Sequence, residues 1–337
     1  IMGRIVVEQR LKKAKASAKF QETKMARKQF LAGVALLLTT LTCVTSAQDQ
    51  IFKTPTLKMD VDLVLVNATV TESGRNRTVT GLDQKDFRVW EDKIEQKIAY
   101  FSSEGVPVSV GIIFDISGSM KDKINSARNA AATFIKSGTR EDEYFEIQFS
   151  DRPQVVSDFT TDVTKLQNRL LSTPTKGSTA LYDAVYLGLN KLKESNNPKK
   201  ALLLITDGED NRSRYSYSNV RDFMREQDVQ LYAIGILDPA TGVGRDPLVQ
   251  LTEITGGRAF FPNAAFEMPD ICKKIATELK NQYVIGYHST NSAKDGALRK
   301  IKVTVSTPKG RDLPQLNVRA KQSYFAPTGD EPPAGKK

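Results

Sequence analysis

The chain has 337 residues, 39% of them apolar and 26% charged, enough for about two domains with ordinary cores. Its 49 Lys and Arg against 39 Asp and Glu give a formal charge of +10, a value that would suit a nucleic-acid binder if it were spread over the surface. Nine of those basic residues and two of the acidic ones lie in residues 1–47, and the remaining 40 against 37 leave a net of +3, so the support for a nucleic-acid partner is gone.

From the N-terminus, residues 1–24 are basic and Ala-rich, begin with Ile, and are expected to be an over-extended start ahead of the true initiator, Met25. Residues 25–47 read as a secretory signal peptide: Arg27 and Lys28, an apolar stretch from Phe30 to Val44, and Thr45-Ser46-Ala47 as the small-residue cleavage site. That stretch is shorter than the roughly 18 residues of a membrane span. The mature chain is therefore expected to start at Gln48, to have no membrane span, and to be secreted or held in a bacterial periplasm or envelope. Of the two cysteines only Cys272 would survive cleavage, which leaves no intrachain disulfide and fits a bacterial exterior better than an animal one. Met268, Ile271, Ile275 and Leu279 flank Cys272 at helical spacing and mark it as a small buried hydrophobe.

Residues 55–104 form a β-rich region: VDLVLVNATV, then DFRVWED and KIEQKIAYF, with Asp92-Lys93 as the turn between the last two. From residue 105 to 282 strands and helices alternate. VSVGIIF precedes a helix striped by Ile124, Ala127, Ala131, Phe134 and Ile135; EYFEIQF, ALLLIT and VQLYAIGI are further strands, and helices are expected at 163–171, 180–192, 219–227, 247–254 and 268–280. Nearly continuous apolar strands between amphipathic helices predict an open, mostly parallel, doubly wound sheet covered on both faces. The β pattern returns at 283–325, in YVIGYHS, IKVTVST and a last extended piece, and 326–337 is a Pro, Gly and charge-rich tail expected to be disordered. Both β regions are expected to meet in one Ig-like sandwich into which the α/β domain is inserted.

In an open α/β sheet ligands bind where strand ends lead into helices. Three such loops carry oxygen donors: Asp115, Ser117 and Ser119 in DISGSM, Thr179 in KGSTALYDA, and Asp207 in TDGED. Asp, Ser and Thr oxygens without His or Cys are a hard-cation set, suited to Mg²⁺ or Mn²⁺ and not to zinc. In an extended loop the alternate positions 115, 117 and 119 face one point. Neutral hydroxyls leave a divalent cation with only two carboxylates around it, able to take a third from another molecule as its sixth ligand.

DISGSM, KGSTALYDA and TDGED, in that order and on those elements, resemble the three loops of the metal-ion-dependent adhesion site of von Willebrand factor A domains, over about residues 105–285. The flanks, including VNATVTESGRNRTVTGLDQKDFRVWEDKIEQKIAYFSS, QYVIGYHSTN, LRKIKVTV and SYFAP, resemble the acidobacterial VWFA-related family of exported proteins. The resemblance implies that Ser117, Ser119 and Thr179 ligate the metal directly, and Asp115 and Asp207 directly or through water. It further implies metal-dependent binding of a protein partner through an Asp or Glu carboxylate, with movement of the last helix (268–280) as the route of any signal. Lys93 departs from the family's usual Gly in a turn away from the metal site, and Ser178 stands where Gly is also common.

Catalysis is not expected. G-x-S-x-G would need Gly around Ser117 or Ser119, the only histidine, His288, lies in a terminal strand, and a phosphoryl-transfer site would need Asp at 117. Glu209 and Asp210 are expected to flank the metal site without ligating, Asp183 to support loop hydrogen bonds, Trp90 to lie in the β-region core, and Lys199 and Lys200 to be solvated. The competing reading is a structural envelope or assembly module in which the metal only stiffens loops.

Overall fold

The computed structural model describes residues 63–75, 77–103, 106–170, 174–237, 242–307 and 314–328. The expected over-extended start, the signal peptide and residues 329–337 of the expected tail lie outside the described residues; the tail's first three residues are not disordered, since Ala326 is buried and donates its N–H to Ala297 O at 2.9 Å and Thr328 bridges Asp295.

The central sheet is built from β5 (Val108–Asp115), β6 (Glu143–Phe149), β7 (Pro153–Thr160), β8 (Lys199–Thr206), β9 (Gln230–Gly235) and β10 (Arg258–Phe260), in the order β10-β9-β8-β5-β6-β7. All neighbours are parallel except the edge pair β6-β7. β5 is buried along its whole length, as expected of a strand covered on both faces. One face carries α1 (Ile124–Lys136), α2 (Val163–Leu170) and α6 (Met268–Lys280). Ile112, Phe114, Ala127, Phe134, Cys272 and Ile275 pack there in one apolar layer. The other face carries α3 (Leu181–Leu192), α4 (Tyr217–Glu226) and α5 (Arg245–Ile254), with Ile113, Phe145, Leu189 and Leu204 between. Gly188 lets α3 lie close to β5, since a Cβ there would stand 2.9 Å from Ile113 Cδ1.

The remaining strands form two four-stranded sheets. One is ordered β13-β1-β11-β4, with β13 at Leu316–Ala320, β1 at Leu63–Glu72, β11 at Tyr283–His288 and β4 at Ile98–Ser102. The other is β14-β12-β2-β3, with β14 at Ser323–Phe325, β12 at Leu298–Val305, β2 at Phe87–Glu91 and β3 at Ile94–Gln96. Each sheet mixes strands from before and after the α/β region, in antiparallel pairs such as Val66↔Ile285 and Val89↔Val303. Val66, Ala68, Phe87, Val89, Tyr283, Ile285 and Ile301 fill the space between them. The expected sandwich is therefore present, but Trp90 is not in its core: it is half-buried on the outward face of β2 with Arg88, alternating with buried Val89 and Glu91. Asp92 and Lys93 form the β2–β3 turn with φ of 46° and 75°, the left-handed pair that a two-residue hairpin demands. Asp92 is held there by β12, donating its N–H to Lys300 O and accepting Lys300 N–H at Oδ1, both at 2.9 Å.

Further features depart from the sequence reading. KIEQKIAYF, expected as one strand, divides at Lys97 into β3 and β4 on different sheets. Strands β7 and β10 are additional; β7 begins with Pro and exposes Gln154 and Val155, so it has no apolar run to mark it. Lys199 is not solvated: it is 1% exposed, its ammonium donating to Lys280 O at the C-terminus of α6 at 3.3 Å. Burial lowers its pKa to about 8, opposed by the charge of Asp142.

Candidate functional site

The end of β5 is where the chain first turns to opposite sides of the sheet, to β6 on one flank and β8 on the other. At such a switch point the loops diverge and leave a crevice. Backbone hydrogen bonds stitch three loops across it: Gly118 N–H to Gly177 O at 3.0 Å, Lys176 N–H to Ile116 O at 2.9 Å, and Asn211 N–H to Thr179 O at 3.0 Å. Gly177, at φ +83°, stands where a Cβ would come 2.7 Å from an Asp151 carboxylate oxygen, and that carboxylate instead accepts Ser178 N–H.

Within this frame the five residues singled out from the sequence come together. Asp115 is fully buried; its Oδ1 accepts Ser117 N–H at 2.8 Å and its Oδ2 accepts the Thr206 hydroxyl at 2.6 Å. Ser117 Oγ and Ser119 Oγ are 3.1 Å apart, and Ser119 Oγ donates to Asp207 Oδ1 at 2.8 Å. Thr179 enters from the third loop, held by reciprocal bonds between its backbone and Asn211, with Asn211 Oδ1 accepting Thr179 N–H at 2.8 Å. Thr179 is 4% exposed. Gly208 borders it, since a Cβ there would lie 3.9 Å from Thr179 Oγ1.

Burial raises the pKa of Asp115, against the lowering effect of its bonds to Thr206 and Ser117, and the charge of Asp207 raises it further. Two carboxylates so placed gain from a cation between them. Among the described residues no group of three His, Cys, Asp or Glu is arranged to hold a metal; the set here has two carboxylates and three hydroxyls, all hard oxygens. Three hydroxyls gathered beside a buried carboxylate pair, with no His or Cys among them, are the donor chemistry a Mg²⁺ or Mn²⁺ ion fits.

The outer carboxylates are engaged elsewhere. Glu209 Oε1 accepts Gly244 N–H at 3.1 Å, Asp210 accepts the N–H groups of Tyr182 and Ser213 at 3.1 Å each, and Asp183 Oδ1 accepts those of Arg214 and Tyr215. These bonds order the loops, as expected for Asp183. His288 is exposed in β11, in the sandwich.

Two participants were not assigned roles from the sequence. Thr206 fixes the Asp115 carboxylate, and its position directly before Asp207 at a strand end was the available signal. Lys123 donates to Asp207 Oδ2 at 2.9 Å. It sits at the N-cap of α1, where a cation opposes the helix dipole; a lysine in that place implies a nearby anion.

The von Willebrand factor type A domain model matches residues 109–280, half of the chain. The chain belongs to the von Willebrand factor type A domain family. Membership makes it, in outline, a protein-interaction or adhesion module. No curated protein matches it. Similar solved structures include a von Willebrand factor type A protein from Catenulispora acidiphila, at 12% identity over 80% of this chain and 74% of that one, TM-score 0.46. BatB from Bacteroides thetaiotaomicron is 18% identical over 51% of this chain and 99% of its own, TM-score 0.44. The minor pilin PilB from Streptococcus sanguinis is 14% identical over 52% and 62%, TM-score 0.42. No described helix of this chain is long and apolar enough to cross a membrane.

Proposed function

We propose that this von Willebrand A domain is an exported, metal-dependent protein-binding module that takes an Asp or Glu side chain of its partner and performs no chemistry on it. The observation that carries the reading is the meeting of Asp115, Ser117, Ser119, Thr179 and Asp207 from three loops, with Ser117 Oγ and Ser119 Oγ 3.1 Å apart and Ser119 bonded to Asp207. Ser117, Ser119 and Thr179 would hold Mg²⁺ or Mn²⁺ directly, and Asp115 and Asp207 directly or through water. When bound, the ion supplies Lewis acidity toward a partner carboxylate. The chain's own residues do the rest: Thr206 and the Ser117 amide orient Asp115, Asn211 fixes Thr179, and the backbone bonds among the loops bring the donors together.

The test is capture of a partner on the immobilised protein in Mg²⁺ against EDTA, beside Thr179→Ala. A partner retained in Mg²⁺ and lost under either change supports the reading. Binding indifferent to both favours the structural-module alternative, in which the ion would only stiffen loops.

A further inference from the structure

The metal reading leaves the Lys123 ion pair unexplained. Its ammonium rests on Asp207 Oδ2 at 2.9 Å, while the Asp207 side chain is fully buried and that of Lys123 is 36% exposed. Charge counting gives the pair a meaning. Asp115 and Asp207 together carry −2, which alone would neutralise a divalent cation and leave the loaded site with little electrostatic need for another anion. With Lys123 the empty site carries −1 and the loaded site +1. No other carboxylate changes the count: Asp207 is the one whose charge acts on Asp115, Glu209 and Asp210 are turned to backbone N–H groups of neighbouring loops, and the charge of Asp151 is offset by those of Arg212 and Lys176.

We infer that Lys123 is the residue that makes this site require an anionic ligand: its tethered charge weakens binding of the metal alone and leaves a single positive charge for one incoming carboxylate. The inference rests on the metal-dependent reading and goes further, because it sets metal and ligand as thermodynamically coupled, each raising the affinity for the other through the same charge. At the short separations within the site, unit charges interact strongly even after screening. Ser119 holds Asp207 Oδ1 independently, so neutralising Lys123 does not release the carboxylate from the site.

The experiment is Mn²⁺ titration of the full chain by calorimetry, in chloride and in acetate buffers of equal ionic strength. Wild type, Lys123→Met, Lys123→Gln and Lys123→Arg are compared after circular dichroism has established that each is folded. Wild type is expected to bind Mn²⁺ more tightly in acetate than in chloride. Lys123→Met and Lys123→Gln are expected to bind it about tenfold or more tightly in chloride and to lose most of the acetate enhancement. Lys123→Arg keeps the charge and should behave as wild type, which separates charge from packing. Equal Mn²⁺ affinity in chloride across all four proteins, with unchanged acetate response, would overturn the inference while leaving the metal site standing. Absence of Mn²⁺ binding in every folded protein and both buffers would remove the metal reading itself, and this inference with it.

Discussion

Glu91 in the sandwich and Asp115 at the sheet edge are both sealed from solvent, at 2% and 0% exposure, yet their surroundings differ in kind. Glu91 accepts hydrogen bonds from Tyr287 at 2.9 Å, Tyr324 at 2.8 Å and Ser289, three hydroxyls drawn from β11, β14 and the residue after β11. Its charge is dispersed over these hydroxyls, of which Ser289 also bonds the Asn291 backbone. Asp115 is also hydrogen-bonded, but it faces the like charge of Asp207, with the hydroxyls of Ser117 and Ser119 gathered beside the pair. A cluster of one carboxylate completed by hydroxyls fastens strands together; two carboxylates brought together invite a cation.

The largest effect should come from the completed cluster. Glu91→Ala leaves the Tyr287 and Tyr324 hydroxyls without their acceptor and is expected to cost about 3–5 kcal/mol in denaturant unfolding, while any Mg²⁺-induced rise in Tm is kept. A cost below about 1 kcal/mol would show that Glu91 is not the fastening described.

Lys199 sharpens the contrast as a buried charge with a single carbonyl partner. Its proton is held up to about 10.4 in the unfolded chain but only to about 8 in the folded one. Between those values unfolding takes up a proton, so stability rises with pH across the window and the penalty is complete below it. Lys199→Met should therefore stabilise the protein by about 2–3 kcal/mol at pH 7, the gain fading toward pH ~10.5. Paired urea titrations at pH 7 and 10 read this, and a gain independent of pH would assign the effect to packing instead.

Lys93 carries strain of another sort. At φ 75° a side chain costs about 1–2 kcal/mol relative to Gly. Lys93→Gly should then stabilise by ~1 kcal/mol with no change in metal response. Smallest of all is Asp115→Asn measured in EDTA. Removing a charge whose burial is unfavourable should shift stability by less than about 1 kcal/mol and yet abolish Mg²⁺-dependent stabilisation. A large loss in EDTA would place Asp115 with Glu91 as a structural group.

Much of this was legible because the residues involved act locally. VSVGIIF and ALLLIT could only be buried strands, and DISGSM at the end of the first had to project its oxygens into a loop. The sandwich was legible as strands but not as pairs, since β1 and β11 meet across some two hundred residues and no periodicity records that. β7 escaped because an edge strand needs no apolar run, and Lys199 because a charge beside an apolar strand reads as its boundary. Lys123 lay in plain view at the start of α1; what its sequence position did not reveal was the anion it answers, which is Asp207 from a loop 84 residues away.

The central claim is that five oxygens from three loops bind a divalent cation. Calorimetric titration of Mg²⁺ and Mn²⁺ into the chain, beside the Asp115→Ala, Ser117→Ala double variant, tests it most directly. The account predicts saturable binding by wild type with one site, lost in the double variant. Binding that survives in the double variant, or saturable binding by neither protein with acetate present, would contradict it.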